Sequence, residues 1–265
     1  MSSRSRGIYT TMLALITPTG ARQDQFNLCG KFMERQTYKG AVTWIIIDDA
    51  KPITTDNIDE TFKVGWTVIK VYPTPTWQQG QNTQGRNIAA GIDALLDNYK
   101  IEDIEAVFII EDDDYYRPVY LERMMERFNG FKVLGEMNTV YYNVFYRNFF
   151  TNRNTSHVSL FQLAFKPEMI PLFKTCYNER FIDFKFYEKL HAEGYVRRGD
   201  VGFFNEGNLA IGMKGMPGRA GIGAGHGNLM HMTPDKNMNY LTSQINEDAI
   251  LYERYYGNRG RTQYV

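Results

Sequence analysis

Cysteine is scarce: Cys29 and Cys176 are the only two among 265 residues, far apart and in no Cys-x-x-Cys pair. A disulfide framework and a zinc–thiolate site are therefore excluded, and a reducing cytoplasm is the expected compartment. An excess of either charge is also missing. Lys and Arg total 30 against 30 Asp and Glu, so the formal net charge is zero and a broadly basic nucleic-acid coat is excluded. No apolar run approaches the roughly 20 residues that cross a bilayer. Arg4 and Arg6 precede Met12-Leu13-Ala14-Leu15-Ile16 in the manner of a signal peptide, but Thr17-Pro18-Thr19-Gly20 ends that short run as a turn, which favours a first buried strand. Internal repeats and linkers are absent too, so residues 1–265 read as a single domain.

Aromatics are plentiful, with 18 Tyr and 17 Phe, enough to pack a core and still line a stacking surface. The pattern predicts a strand at 11–17, a loop at 17–22 and an amphipathic helix at 25–35 with Phe26, Cys29, Phe32 and Met33 at helical spacing. A β-branched run at 41–47 ends abruptly on Asp48-Asp49. A strand at 66–72, closed by Pro73 and Pro75, precedes a helix at 86–99. The strand at 106–110 runs straight into Glu111-Asp112-Asp113-Asp114. This alternation predicts an α/β fold with a mostly parallel sheet flanked by helices, and acids at strand ends lie where open α/β sheets bind ligands. Further on, the pattern predicts helices at 119–128 and 181–193, a strand at 160–166, a glycine-rich segment at 215–227 and a final helix at 234–256 ending on Gly257. The aromatic stretch 140–150 reads either as an acceptor-site lining with Arg147 for a phosphate, or as a hairpin with alternate rings packed inward.

Four consecutive acids repel one another and raise each other's pKa unless a cation joins them. Hard oxygen ligands in so tight a cluster suit Mg²⁺ or Mn²⁺, which completes its shell with substrate phosphates. In the glycine-rich segment, backbone N–H groups can approach an anion closely and Arg219 adds charge; without Gly-Lys-Ser/Thr it is no P-loop.

An acidic motif after a buried strand, followed by Tyr115-Tyr116-Arg117-Pro118, resembles the metal motif of GT-A-fold glycosyltransferases, particularly family-2-like ones. Aligned on that aromatic pair and proline, Glu111-Asp112-Asp113 is the Asp-x-Asp equivalent and Asp113 the main metal ligand; Glu replaces the first Asp, and Asp112-Asp113-Asp114 also satisfies the pattern. Leu15-Ile16-Thr17-Pro18-Thr19, Arg35-Gln36-Thr37-Tyr38, Trp44-Ile45-Ile46-Ile47-Asp48-Asp49 and Arg86-Asn87 resemble further blocks of that family in the same order, with Ala50-Lys51 in place of its Gly-Ser. The segment Thr17-Pro18-Thr19-Gly20, with Leu28-Cys29 and Met33-Glu34-Arg35-Gln36-Thr37, looks like small stand-alone members from bacteriophages and bacteria.

The resemblance implies a GT-A fold: a Rossmann-like nucleotide-binding half at 11–125, an acceptor-side catalytic half at 126–232, and a C-terminal helix and tail at 233–265. It implies a nucleotide-sugar donor, UDP-linked, held by Thr17, Pro18, Thr19, Asp48, Asp49, Arg86, Asn87, Glu111, Asp112 and Arg219. A strand-end carboxylate suits the single N–H of uracil, and Arg86 suits a base carbonyl or the diphosphate. Mn²⁺ or Mg²⁺ is expected on Asp113 and Asp114, with His226 completing the shell and His231 competing for that place. Phe181-Ile182-Asp183-Phe184 resembles the family's catalytic-base block, with Ile182 where the family has Glu; Asp183 is the candidate base and Glu179 the alternative.

The expected activity is metal-dependent glycosyl transfer to a hydroxyl, with 5-hydroxymethylpyrimidine in bacteriophage DNA as the acceptor suggested by the phage relatives. A cell-surface or lipid-linked glycan is the alternative acceptor, and nucleotidyl transfer the alternative chemistry, although Thr19-Gly20-Ala21-Arg22 is a poor version of the loop it needs. A DNA acceptor requires a local basic face, for which Arg153, Lys166, Arg197, Arg198, Arg254, Arg259 and Arg261 are the candidates.

Overall fold

A computed structural model describes residues 11–152, 154–219, 221 and 231–257. Its first half runs β1 (Met12–Thr19), α1 (Gln23–Glu34), β2 (Ala41–Asp48), β3 (Trp66–Val71), α2 (Gln84–Asn98), β4 (Ile104–Ile109), β5 (Tyr115–Tyr116) and α3 (Tyr120–Arg127). The second half continues with β6 (Val133–Glu136), β7 (Thr139–Asn143), β8 (Asn148–Asn152), β9 (Leu163–Phe165), α4 (Ile170–Lys174), α5 (Ile182–Ala192), α6 (Tyr195–Arg198), β10 (Val201–Phe204), β11 (Ala210–Lys214), β12 (Thr233–Pro234) and α7 (Asn239–Ile245).

The expected α/β architecture is present. A seven-stranded sheet has the order β10-β6-β9-β4-β1-β2-β3; its pairings are parallel except those of β9, which lies antiparallel between β4 and β6. Side chains alternate across a strand, so one apolar run can feed two cores. Leu13 and Leu15 join Trp44, Ile46 and Phe108 beneath Phe26, Cys29 and Phe32 of α1. Met12, Ala14 and Ile16 face the other way, with Ile45, Ile47 and Ile109, onto Ile88, Ile92 and Leu95 of α2 and onto Phe186 and Leu190 of α5. Both cysteines are buried and free. Among the described residues, no helix is long and apolar enough to cross a membrane.

A second sheet, ordered β12-β8-β7-β11-β5, leans on the α1 side, where Tyr142, Ile211 and Met213 enter the same core as α1. The aromatic stretch is thus the β7–β8 hairpin, with Tyr142 buried and Tyr141 on the opposite face. Arg147 turns the hairpin at φ 49°, and its guanidinium lies 4.1 Å from the Tyr256 ring centre and donates to the Lys236 carbonyl at 2.9 Å, away from the cavity. The final segment also departs from expectation. Instead of one helix at 234–256, β12 is followed by α7 and then a 3₁₀ segment, Asn246–Tyr255. Asp235 accepts the Tyr240 and Leu241 N–H groups to start α7, and Asn246, at φ 52° and ψ −132°, breaks the α-helical course. The strand expected at 160–166 is shortened to β9 because a 3₁₀ turn occupies Leu160–Gln162.

Candidate functional site

Parallel strands β2, β1 and β4 lie side by side, so their carboxyl ends bring Asp48-Asp49, Thr17-Pro18-Thr19 and Glu111-Asp112-Asp113-Asp114 to one edge. The turn after β1 passes so close to Asp49 that a Cβ on Gly20 (φ +139°) would meet its Oδ1 at 2.2 Å; only glycine fits. A cavity of about 240 Å³ opens at this edge. Pro18, Thr19, Asn87, Glu111, Asp112, Asp113, Asp183 and Arg219 line it; Thr17, Asp48, Asp49, Arg86, Asp114 and Glu179 do not.

The two acids ending β2 are both buried and both engaged. Asp48 accepts from the backbone N–H groups of Ala50 at 3.0 Å and Thr54 at 2.6 Å, and thereby closes its own loop. Asp49 accepts from Asn87 Nδ2 at 2.8 Å, Arg86 Nη2 at 2.9 Å, Arg219 Nη1 at 3.1 Å and the Thr83 hydroxyl. Arg219 also donates to Thr83 Oγ1 at 2.6 Å, and burial together with the nearby Arg22 charge lowers its pKa to about 10. Arg86 completes its contacts on the Pro75 carbonyl at 2.8 Å. Thr17, beneath this layer, accepts from Trp44 Nε1 at 2.9 Å.

The acids after β4 meet cations that sequence reading did not single out. Arg22, from the turn after β1, sets Nη1 2.7 Å from Asp112 Oδ1 and 3.5 Å from Asp113 Oδ1. Thr19 donates to the other Asp112 oxygen at 2.7 Å. Lys214, at the end of β11, lies 2.8 Å from Asp114 Oδ1 and 3.2 Å from Asp113 Oδ2. Glu111 accepts from the Gln84 amide. Burial raises the pKa of Glu111, Asp112 and, most strongly, Asp114; Lys214 opposes the rise at Glu111 and Asp114, and Arg22 opposes it at Asp112. Burial works against the charge of Arg22 and Lys214 as well, but the adjacent carboxylates prevail and both are held more firmly protonated than usual.

Glu111, Asp113 and Asp114 each offer an oxygen within 4.8 Å of the others, and Asp114 Oδ2 is buried without a hydrogen-bond partner. An all-oxygen donor set with an unmet acceptor fits a hard divalent cation, so this cluster can hold one. His226 lies outside the described residues, and His231 is exposed, its ring edge-on to Phe150.

Asp183, which lines the same cavity, stands in the first turn of α5, its Oδ1 accepting the Phe184 N–H at 2.9 Å. Burial raises its pKa, opposed by that hydrogen bond. Tyr141, Phe161, Arg180 and Phe181 line the cavity around it, whereas Glu179 is exposed outside it. Sequence offered one cue to Lys214, a lone cation in the apolar run Ala210-Ile211-Gly212-Met213; for Arg22 the cue was its place just after a strand-end turn.

No protein-family model and no curated protein matches this chain. Among solved structures it is similar to S. aureus TarS at 12% identity and a TM-score of 0.47, over 77% of this chain and 36% of that one. TarS residues 1–349 in complex with UDP match at 13% identity and a TM-score of 0.47, over 77% and 60% of the two chains. The same protein with UDP-GlcNAc matches at 14% identity and a TM-score of 0.44, over 77% and 58%. The chain thus spans between 36% and 60% of the length of these three structures.

Proposed function

We propose that this chain is a GT-A-type, metal-dependent glycosyltransferase that moves a sugar from a UDP-linked donor to a hydroxyl acceptor. The observation that carries the reading is that Glu111 and Asp113 of the carboxylate trio line the same cavity as the Asp183 carboxylate. Donor diphosphate belongs beside the acidic cluster, where Arg22, Lys214 and Arg219 line the cavity and supply positive charge. Mn²⁺ or Mg²⁺, held by Asp113 with Glu111 and Asp114, would supply Lewis-acid stabilisation of the leaving diphosphate. Asp183 takes the acceptor proton as the acceptor oxygen bonds to the anomeric carbon and the bond from that carbon to the diphosphate oxygen breaks. Its raised pKa suits a base, because a carboxylate of ordinary acidity would bind that proton weakly.

For the acceptor, the reading is a 5-hydroxymethylpyrimidine taken out of the DNA stack. Tyr141 and Phe181 line the cavity with Asp183, and Arg180, whose guanidinium lies 5.4 Å from the Phe181 ring centre, offers a cation for a flanking phosphate. The experiment supplies UDP-sugars and Mn²⁺ with duplex DNA carrying 5-hydroxymethylcytosine or 5-hydroxymethyluracil, and follows the modified nucleoside by mass. Glucosylated or otherwise glycosylated nucleoside is expected. Transfer only to glycans or lipid-linked saccharides overturns the DNA acceptor and keeps the glycosyltransferase; transfer of a nucleotidyl group instead of a sugar overturns both.

A further inference from the structure

Lys214 is a buried lysine, 5% exposed, whose ammonium lies between two of the three carboxylates able to share a cation. Its Nζ is 3.2 Å from Asp113 Oδ2 and 2.8 Å from Asp114 Oδ1. A Mg²⁺ ligand oxygen stands about 2.0–2.1 Å from the ion, so an ammonium and a divalent ion cannot both occupy the same carboxylate edge. Arg22 approaches the trio less closely. Its close partner is Asp112, outside that trio, and it approaches Asp113 only at 3.5 Å and on the other oxygen.

We propose that Lys214 is a placeholder cation: it pairs with Asp113 and Asp114 in the metal-free chain, yields Asp113 when a divalent cation binds, and then offers its ammonium to the donor diphosphate. This rests on the metal-dependent reading above. The main chain at Lys214 is fixed, because β11 pairs with β7 through this residue and a Cβ on Gly215 (φ +84°) would meet Asn143 Oδ1 at 2.4 Å. Movement therefore belongs to the four-carbon stem, whose head already stands 6.0 Å from the Phe161 ring centre inside the cavity. Two consequences follow from one ammonium with two stations. Lys214 and the metal compete for the acids, whereas the metal and the diphosphate cooperate, because the diphosphate gives the displaced ammonium a new partner.

The test is calorimetric titration of Mn²⁺ into the unmodified chain, Lys214→Met and Lys214→Arg, each with and without UDP. Without UDP, Lys214→Met is expected to bind Mn²⁺ at least about tenfold tighter than the unmodified chain, since the competing charge is gone, while Lys214→Arg stays weak. UDP is expected to tighten Mn²⁺ binding more in the unmodified chain than in Lys214→Met. Should Lys214→Met not fold, Lys214→Gln, uncharged but able to hydrogen-bond both carboxylates, carries the same expectation. Equal or weaker Mn²⁺ binding by the folded, uncharged variant overturns the placeholder and leaves the metal site standing. Failure of every protein to bind Mn²⁺, with or without UDP, overturns the metal reading itself.

Discussion

Two acidic strand ends flank β1 on the same sheet edge, and they are finished in opposite ways. At the end of β2, every carboxylate oxygen of Asp48 and Asp49 meets a donor: two loop N–H groups, two guanidinium groups, an amide and two hydroxyls. At the end of β4, four acids share Arg22 and Lys214, and one buried oxygen of Asp114 is left over. Burying charge is costly unless it is paired, so the first end stabilises its own loops while the second keeps negative charge in excess. The saturated end holds its own loops and the side chains beside it. The unsaturated end is the one we propose for a cation from solution.

That contrast fails or stands first on Asp113→Ala. Removing this cavity-lining acid is expected to reduce Mn²⁺-dependent transfer to the detection limit with the far-ultraviolet circular dichroism unchanged; full activity in this variant, or in EDTA, breaks the distinction between the two ends. Asp183→Asn comes next, with transfer slower by about 10²–10⁴ and UDP binding retained, because an amide cannot take the acceptor proton. The unmodified chain is expected to show an acid limb in its pH–rate profile. A base works deprotonated, and burial lifts the Asp183 pKa, so activity falls as pH drops through a value above the ordinary aspartate range near about 3.9. A limb that survives unchanged in the residual activity of Asp183→Asn would move the base elsewhere.

Much of the scaffold was legible because local pattern determines it. The run ending in Asp48 and the run ending in Ile109 are apolar enough to be strands buried on both faces, and acids directly after them can only emerge at the sheet edge. What was not legible depends on partners distant in sequence. Strands β6, β10 and β11 are four or five residues long and are defined by neighbours rather than by their own periodicity. Lys214 lies 100 residues from Asp114 along the chain, so its pairing with the cluster is a product of the second sheet. Asp48 and Asp49 are indistinguishable as adjacent letters; their hydrogen bonds separate them. Within the glycine-rich segment, Ala220 and residues 222–227 remain a sequence expectation, since they lie outside the described residues.

Asp49→Asn is the third test. Arg219 and Asn87 line the cavity, and Asp49 holds both, so weakening those charge-assisted hydrogen bonds is expected to loosen UDP binding by about tenfold, the scale of ~1.5 kcal/mol. Titration calorimetry reads this directly, and unchanged UDP affinity would assign Asp49 to loop structure alone.

The smallest effect on UDP binding is expected at the neighbouring residue. In Asp48→Asn one acceptor oxygen becomes an NH₂ group, and Asp48 now uses one oxygen for the Thr54 N–H and the other for the Ala50 N–H and the Thr54 hydroxyl. Whichever way the amide turns, a buried N–H faces another donor, a loss of about 1–3 kcal/mol. For a chain of this size that amounts to a fall in Tm of several degrees, at roughly 2–4 °C per kcal/mol. UDP binding should weaken less than in Asp49→Asn, since Asp48 contacts only its own loop and neither of the cavity-lining residues that Asp49 holds. Both variants are therefore expected to lower Tm, since Asp49 is buried among donors as well, and it is UDP affinity that separates the two adjacent aspartates. An Asp48→Asn chain with unchanged Tm and weakened UDP binding would reverse the assignment and make Asp48 the carboxylate that recognises the nucleotide.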